Sequence, residues 1–196
     1  MFVQIIQGKV RDPDLLQRQM GRWRTDVKPG AIGFLGSTSG VTDDGSVVVI
    51  ARFESEDAAR ANSERPEQGT WWEATAPAYE GEVTFHDCAE VDVILGGGSD
   101  DAGFVQVMQG RAVDPQQMRT AGRAMEDDLH AARPDIIGGI VGWYGDRQFT
   151  QVTYFESEEA ARKGESVTQD GPEMAEWGKM LDGPITFVDL RHPEYD

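Results

Sequence analysis

The side chains best suited to chemistry in this sequence are His86, Arg52 and Tyr154. Imidazole moves protons near neutral pH, guanidinium holds a carboxylate or enolate oxygen, and a phenol can donate a proton. His86 lies in GEVTFHD (81–87), where Val83 and Phe85 alternate with Thr84 and His86. In a strand that alternation puts Val83 and Phe85 on one face and Thr84 and His86 on the other. The apolar pair is expected to pack under helices, which aims Thr84 and His86 to the opposite side. Arg52 lies in ARFESEDAAR (51–60), on the face opposite Phe53, and Tyr154 holds the same place in TYFESEEAAR (153–162), opposite Phe155. Both could instead sit at a rim with their polar tips in water.

Further candidates surround these three. Gln4 and Gln106 occupy matching positions in FVQIIQGKVRDP and FVQVMQGRAVDP, as do Gln7 and Gln109. Such amides either anchor a ligand in an apolar pocket or pair with neighbouring strands. Trp23, Trp143 and Tyr144 are candidate aromatic walls, although Trp23 falls on a helical apolar stripe and reads as core. The expected set is therefore His86, Arg52 and Tyr154 as catalytic residues and Gln4, Gln106, Thr84 and Trp143 as ligand-binding residues, with no metal ligand. The residue 102 positions after His86 is Val188, so a pocket built on His86 would belong to one half of the chain.

That offset recurs. The FVQ blocks start at Phe2 and Phe104, the FESE blocks share Phe53 and Phe155, and GEVTFHD matches GPITFVD (183–189), all 102 residues apart. Three blocks in one order at one spacing indicate a duplication of a domain-sized unit. Each copy opens with a strand-like apolar run, followed by Asp-Pro. Asp12 and Asp114 suit N-caps, and Pro13 and Pro115 suit first helical positions. Apolar stripes follow at Leu16, Met20, Trp23 and Val27, and at Met118, Ala121–Gly122, Met125 and Leu129. Two strands then form a hairpin, turning at Asp43-Asp44-Gly45 and at Gly145-Asp146. Ser55 and Ser157 cap a second helix. The pattern breaks near Pro66 and near Gly171-Pro172, resumes in WWEATAPAY and MAEWGKML, and ends in a last strand.

The order β-α-β-β-α-β is the ferredoxin-like arrangement, with both helices on one face of the sheet. The first strand carries Phe2 and Ile6 on one side and Val3 and Ile5 on the other, so both faces must be buried. The second copy is expected to cover the open face of the first. Residues 1–95 form the first module, GGGSDD and its neighbours (96–102) a polar linker, and 103–196 the second module. VDVIL (91–95) reads as an extra strand that reaches the second module.

The totals exclude several functions. With 196 residues and a net charge of −17, the chain lacks the cationic surface that phosphate backbones or anionic membranes require. No apolar run is long enough to span a bilayer, and MFVQIIQGKVRDP has neither a basic start nor a cleavage site for a signal peptide, so a cytoplasmic location is expected. The one cysteine, Cys88, excludes an internal disulfide and reads as a small buried strand residue. GSTSG (36–40) has Thr38 where a nucleophile elbow needs Ser, and GGGSDD lacks the Gly-Lys of a phosphate loop.

The duplicated β-α-β-β-α-β pattern resembles the dimeric α/β barrel superfamily, which includes the antibiotic-biosynthesis monooxygenase-like proteins. The resemblance covers about 2–95 and 104–190. It implies an α+β fold in which two ferredoxin-like modules pack sheet to sheet as an intramolecular dimeric α/β barrel. It also admits cofactor-free oxygenation, haem degradation, isomerisation or no reaction at all. The haem-degrading branch uses an Asn on the first strand with a Trp and a His farther on. Here positions 4 and 106 are Gln, and Trp71, Trp72 and His86 do not match that spacing. The resulting expectation is a protein that binds a small, mostly apolar organic molecule and acts as a cofactor-independent monooxygenase. His86 would be the base, Arg52 or Tyr154 the oxyanion stabiliser, and Gln4 or Gln106 the orienter. The alternative is a non-catalytic structural or interaction protein whose lumen is filled by side chains such as Phe2 and Phe104. A fused pair should be a monomer or a weak homodimer.

Overall fold

The computed structural model describes residues 1–168 and 172–196. The expected turn at Gly171 lies outside them. The chain divides into two compact units, Met1–Ala89 with Glu194–Asp196, and Glu90–Pro193.

In the first unit the order is β1 (Phe2–Val10), α1 (Pro13–Arg22), β2 (Phe34–Val41), β3 (Ser46–Phe53), α2 (Glu56–Ser63), α3 (Pro66–Thr75) and β4 (Tyr79–Cys88). The second unit has β5 (Glu90–Ile94), β6 (Phe104–Arg111), α4 (Pro115–Ala124), α5 (Glu126–Ala132), β7 (Ile136–Tyr144), β8 (Gln148–Phe155), α6 (Glu158–Thr168), α7 (Pro172–Lys179) and β9 (Thr186–Leu190). A two-residue strand, β10 (Glu194–Tyr195), returns to the first unit. Each unit is thus a five-stranded antiparallel sheet, β10-β2-β3-β1-β4 and β5-β7-β8-β6-β9. The α+β class and the two ferredoxin-like modules expected from the sequence are what is observed.

Local chemistry sets the boundaries. The Asp12 carboxylate accepts from the Leu15 N–H at 2.9 Å, and Asp114 accepts from Gln116 and Gln117 at 2.9 and 3.1 Å. Ser55 and Ser157 cap α2 and α6 by accepting from Ala58 and Ala160. These contacts satisfy first-turn N–H groups that have no helical acceptor. The turn between β2 and β3 closes by Gly45 N–H to Thr42 O at 2.9 Å, with Gly45 at φ 83°. The extra strand expected over 91–95 is observed one residue earlier as β5, Glu90–Ile94, which pairs β7 from Glu90↔Trp143 to Ile94↔Gly139.

The first helix of each copy is shorter than its apolar stripe. α1 ends at Arg22, and Trp23–Val27 form a widened π turn; α4 ends at Ala124, with a break at Met125. The π turn lays Trp23 against Phe34 and Trp71, at ring separations of 5.3 and 6.5 Å, while Arg24 reaches the carboxylates of Glu194 and Asp196.

Phe2 pairs Phe53, and Phe104 pairs Phe155. These rings lie on the helix side, the first pair with Ala58 and Ala59, the second with Ala161. Phe2 and Phe104 therefore do not fill the opposite face. Truncating Phe104, which is fully buried, should cost about 3–5 kcal/mol. Phe187→Ala on exposed β9 should stay within about 0.5 kcal/mol. Urea unfolding followed by tryptophan fluorescence checks both, and equal midpoint shifts would contradict the assigned packing.

Candidate functional site

Register decides which side chains meet. On β4, His86 stands opposite Ile5, Thr84 opposite Gln7 and Cys88 opposite Val3. On β3, Arg52 stands opposite Val3, Ile50 opposite Ile5 and Val48 opposite Gln7. Directly paired residues point to the same side of a sheet. One face of the first unit therefore carries His86, Thr84, Arg52 and Gln7 around an apolar strip of Val3, Ile5, Val48 and Ile50. The other face bears the helices. There Phe85 meets the Trp72 ring at 5.5 Å, and Val83 packs with Leu16, Val47 and Tyr79. The alternation expected from GEVTFHD holds.

His86 and Arg52 are half-buried, whereas Val3, Ile5 and Ile50 are inaccessible. The strand β1 separates β4 from β3, and the two residues are offset by one pair. Strand spacing of ~4.8 Å and a rise of ~3.4 Å per residue put their Cα atoms about 12 Å apart. Thr84 lies two residues from His86 and donates weakly to the Gln7 carbonyl at 3.5 Å. At the edge of the strip Cys88 is fully buried, and burial, aided by Asp87, pushes its thiol up to about 12.

Tyr154 is the counterpart of Arg52 in the second unit. It pairs Val105 and Gly138 and is fully buried on a face with Val107, Val152, Ile140 and Leu190. Val188, opposite Val107, stands where the first unit has His86. That face joins Gln109 and Tyr144, both named from the sequence, to a threonine that was not. Gln109 donates to the Thr150 hydroxyl at 2.9 Å, and Thr150 meets the Tyr144 hydroxyl at 3.4 Å. A threonine in QFTQVTYF reads as an ordinary strand former, so nothing marked Thr150.

The remaining candidates lie on the helix sides. Gln4 Nε2 donates to Asp87 Oδ1 at 2.8 Å. Gln106 Nε2 donates to Asp189 Oδ1 at 3.1 Å and to Glu165 Oε1 at 3.2 Å. Both amides are thus engaged by an aspartate on the neighbouring strand, and Gln4 points away from the face that carries His86. The expected convergence of Gln4 with His86 is not formed, because their registers put them on opposite sides. Trp143 packs on Phe149 at 5.5 Å with Ala112 and Met118, and its Nε1 donates to Asp92 Oδ2 at 2.8 Å. It is a core residue beneath α4 rather than a wall beside the sheet face of Tyr154.

Asp92 anchors β5. It accepts from Arg119 Nε at 2.7 Å and from Arg123 at 2.5 Å, besides Trp143. Burial alone would push its carboxyl up, but the bonds from Arg119, Arg123 and Trp143 outweigh burial and hold it below the ordinary value. A shallow depression open to solvent runs along α4 between Asp114 and Ala124, on a helix rather than on either sheet face. Among the described residues no group of three His, Cys, Asp or Glu side chains could hold a metal ion, and no helix is long and apolar enough to cross a membrane.

No protein-family model matches the sequence, and no curated protein matches it. Solved structures do. One from Fusobacterium nucleatum, described as a "putative monooxygenase", has a TM-score of 0.72 at 8% identity, covering 96% of this chain and 90% of that one. An anthrone oxidase-like protein has a TM-score of 0.67 at 12% identity, covering 99% and 92%. A ferredoxin-fold protein from Listeria monocytogenes, related to antibiotic biosynthesis monooxygenases, has a TM-score of 0.53 at 10% identity, covering 96% and 94%. At the level of fold, these structures bear out the resemblance read from the duplication.

Two outcomes follow from this geometry. Cys88 should resist thiol reagents in the folded protein and react fully in denaturant, as timed thiol titration will show; rapid modification of native protein would contradict its burial. Asp92→Asn should cost about 2–3 kcal/mol at neutral pH, because it removes the charged acceptor shared by Arg119, Arg123 and Trp143 and leaves Arg119 with Glu90 alone. The Asp92 contribution is complete above the ordinary carboxylate value near 3.8 and is lost as pH falls through the lower folded value. The stability gap between wild type and variant, measured by urea unfolding, should therefore narrow in acid.

Proposed function

We propose that the chain binds a small, mostly apolar aromatic molecule on the sheet face that carries Thr84, His86 and Arg52 and oxygenates it without a cofactor. The observation that carries this reading is the presence of His86, Thr84 and Arg52 on one sheet face around a strip of Val3, Ile5, Val48 and Ile50. The names of the fold neighbours, one described as a "putative monooxygenase" and one as an anthrone oxidase-like protein, supply the reaction class by analogy.

The chemistry is self-contained for a substrate with an acidic methylene next to a carbonyl or aromatic ring. His86 removes one C–H proton, and Arg52 holds the enolate oxygen that forms. The carbanion gives its electrons to molecular oxygen and forms a C–O bond, and the peroxide takes the proton back from the imidazolium. Loss of the second C–H proton with cleavage of the O–O bond yields a ketone and water. The dry strip disfavours escape of the peroxide into solvent. Thr84 would orient a polar substituent. Of the two expected stabilisers, Arg52 shares its face with His86 and takes the role; Tyr154 belongs to the other unit.

A second reading has its own observation. Val105, Val107, Val152, Tyr154 and Leu190 in the second unit are fully buried, as are Val3, Ile5, Val48 and Ile50 in the first, which suits protein-filled sheet faces and a non-catalytic role.

Oxygen uptake with an anthrone, corrected for autoxidation, separates the two. The oxygenase reading expects uptake that falls by ~10²–10⁴ in His86→Gln and ~10²–10³ in Arg52→Met. Gln4→Ala, on the far face, should keep close to full activity. Absence of both uptake and anthrone binding in the wild type would replace the oxygenase by the filled, non-catalytic protein.

A further inference from the structure

Arg24 and the segment Glu194–Asp196 have no part in the chemistry above, yet the clamp they form lies beside Gly36, the residue paired with Arg52. β10 pairs β2 at Glu194↔Ser39 and Tyr195↔Thr38, and Asp196 exchanges backbone bonds with Ser37 at 2.9 and 3.1 Å. So short a strand holds few ladder bonds, and a side-chain clamp reinforces it. Arg24 grips the Asp196 carboxylate through Nε at 2.6 Å and Nη2 at 3.2 Å, and Nη2 also reaches Glu194 at 2.6 Å. Lys28 stands 3.9 Å from the same Asp196 oxygen. The Asp196 side chain is only 3% exposed, so its charge depends on these partners.

The held segment runs beside Gly36. Gly36 sits at an irregularity of the β2–β3 ladder with φ +127°, a conformation that favours glycine. A Cβ at Gly36 would stand 2.7 Å from Arg52 Nη2 and 3.1 Å from the Asp196 carbonyl oxygen. The Arg52 guanidinium thus occupies space that a side chain at position 36 would take, and the backbone of Asp196 forms the neighbouring wall. In the second unit the counterpart glycine, Gly138, is approached by the Gly97 carbonyl, and its paired residue is the uncharged Tyr154.

We infer that Arg24 is a positioning residue for Arg52: by clamping Asp196 against β2 beside Gly36, it fixes where the Arg52 guanidinium sits on the sheet face. This rests on Arg52 being the oxyanion holder of the proposed site. Arg24 touches neither the apolar strip nor Arg52 and acts through the clamped strand.

The test is phenylglyoxal modification of the full chain, mapped to individual arginines by peptide mass spectrometry, in wild type, Arg24→Gln, Asp196→Asn and the double variant. Labelling of Arg52 should rise severalfold in each single variant. The double variant should add nothing, because both changes break the same clamp. Arg133, buried in its ion pair with Asp135, reports on the rest of the fold and should stay protected. If Arg24→Gln exposes Arg133 as well, Asp196→Asn, which keeps the side-chain shape, decides. Arg52 labelling equal to wild type in a folded variant overturns the inference. Oxygen-uptake kinetics give the second readout. Increased labelling with a raised KM for the anthrone supports both the seat and the role of Arg52. Increased labelling with unchanged kinetics upholds the seat and overturns the role.

Discussion

The register of β1 against its two neighbours governs everything else in the first unit. Phe2 opposite Phe53 places two large rings under the helices, and that choice fixes the side taken by every later residue. Val3 and Arg52 then share the far face, as do Ile5 and His86. A slip of one residue would carry His86 and Arg52 beneath the helices and turn Phe85 outward, because strand side chains alternate with a period of two. Each cross-strand pair contributes only about 0.2–1 kcal/mol. Burying the wrong set would cost much more, since it would desolvate the Arg52 guanidinium and the His86 imidazole beneath the helices. The candidate chemistry is therefore positioned by packing that takes place on the opposite side of the sheet.

The two copies keep this frame and differ in what they mount on it. The phenylalanine pairs repeat, and so does the Gln–Asp bond, Gln4 to Asp87 and Gln106 to Asp189. The far faces diverge: His86 against Val188, Arg52 against Tyr154, Val48 against Thr150, Cys88 against Leu190. Substitutions under the helices must preserve close packing. On the far faces the copies have exchanged polar and apolar groups in both directions, so each unit presents its own polar set. His86 and Arg52 belong to one set, and the Gln109–Thr150–Tyr144 group belongs to the other.

The sequence revealed the elements through redundancy. A cap, a proline and an apolar stripe seen once are weak signals, but seen twice at one offset they specify a module. The phase of β4 was legible because Val83 and Phe85 contrast with Thr84 and His86. The phase of Gln4 was not, since FVQIIQ is apolar on both sides and only pairing with Asp87 on β4 assigns the amide a face. Trp143 was ambiguous for the same reason, because a strand buried on both sides does not announce which ring faces a helix. β10 escaped notice altogether. Its counterpart β5 alternates apolar residues, whereas RHPEYD has two strand residues and owes its place to Arg24, which lies 170 residues away from Glu194.

That long-range clamp also bears on how the charge is distributed. A chain of net charge −17 has few cations to spare, yet several arginines converge on carboxylates at or beside edge strands: Arg24 on Glu194 and Asp196, Arg119 and Arg123 on Asp92, Arg162 on Asp189. Asp92 and Glu194 are themselves 102 residues apart, one on each fifth strand. Each fifth strand therefore brings a carboxylate to an arginine. An edge strand held only by a few backbone bonds frays readily. A bidentate arginine adds a directional, partly desolvated contact that backbone pairing alone cannot supply. In the second unit that contact secures β5 over five residues of ladder. In the first it secures two, and the difference leaves Arg24 to carry a larger share of the alignment of the backbone that walls in Arg52.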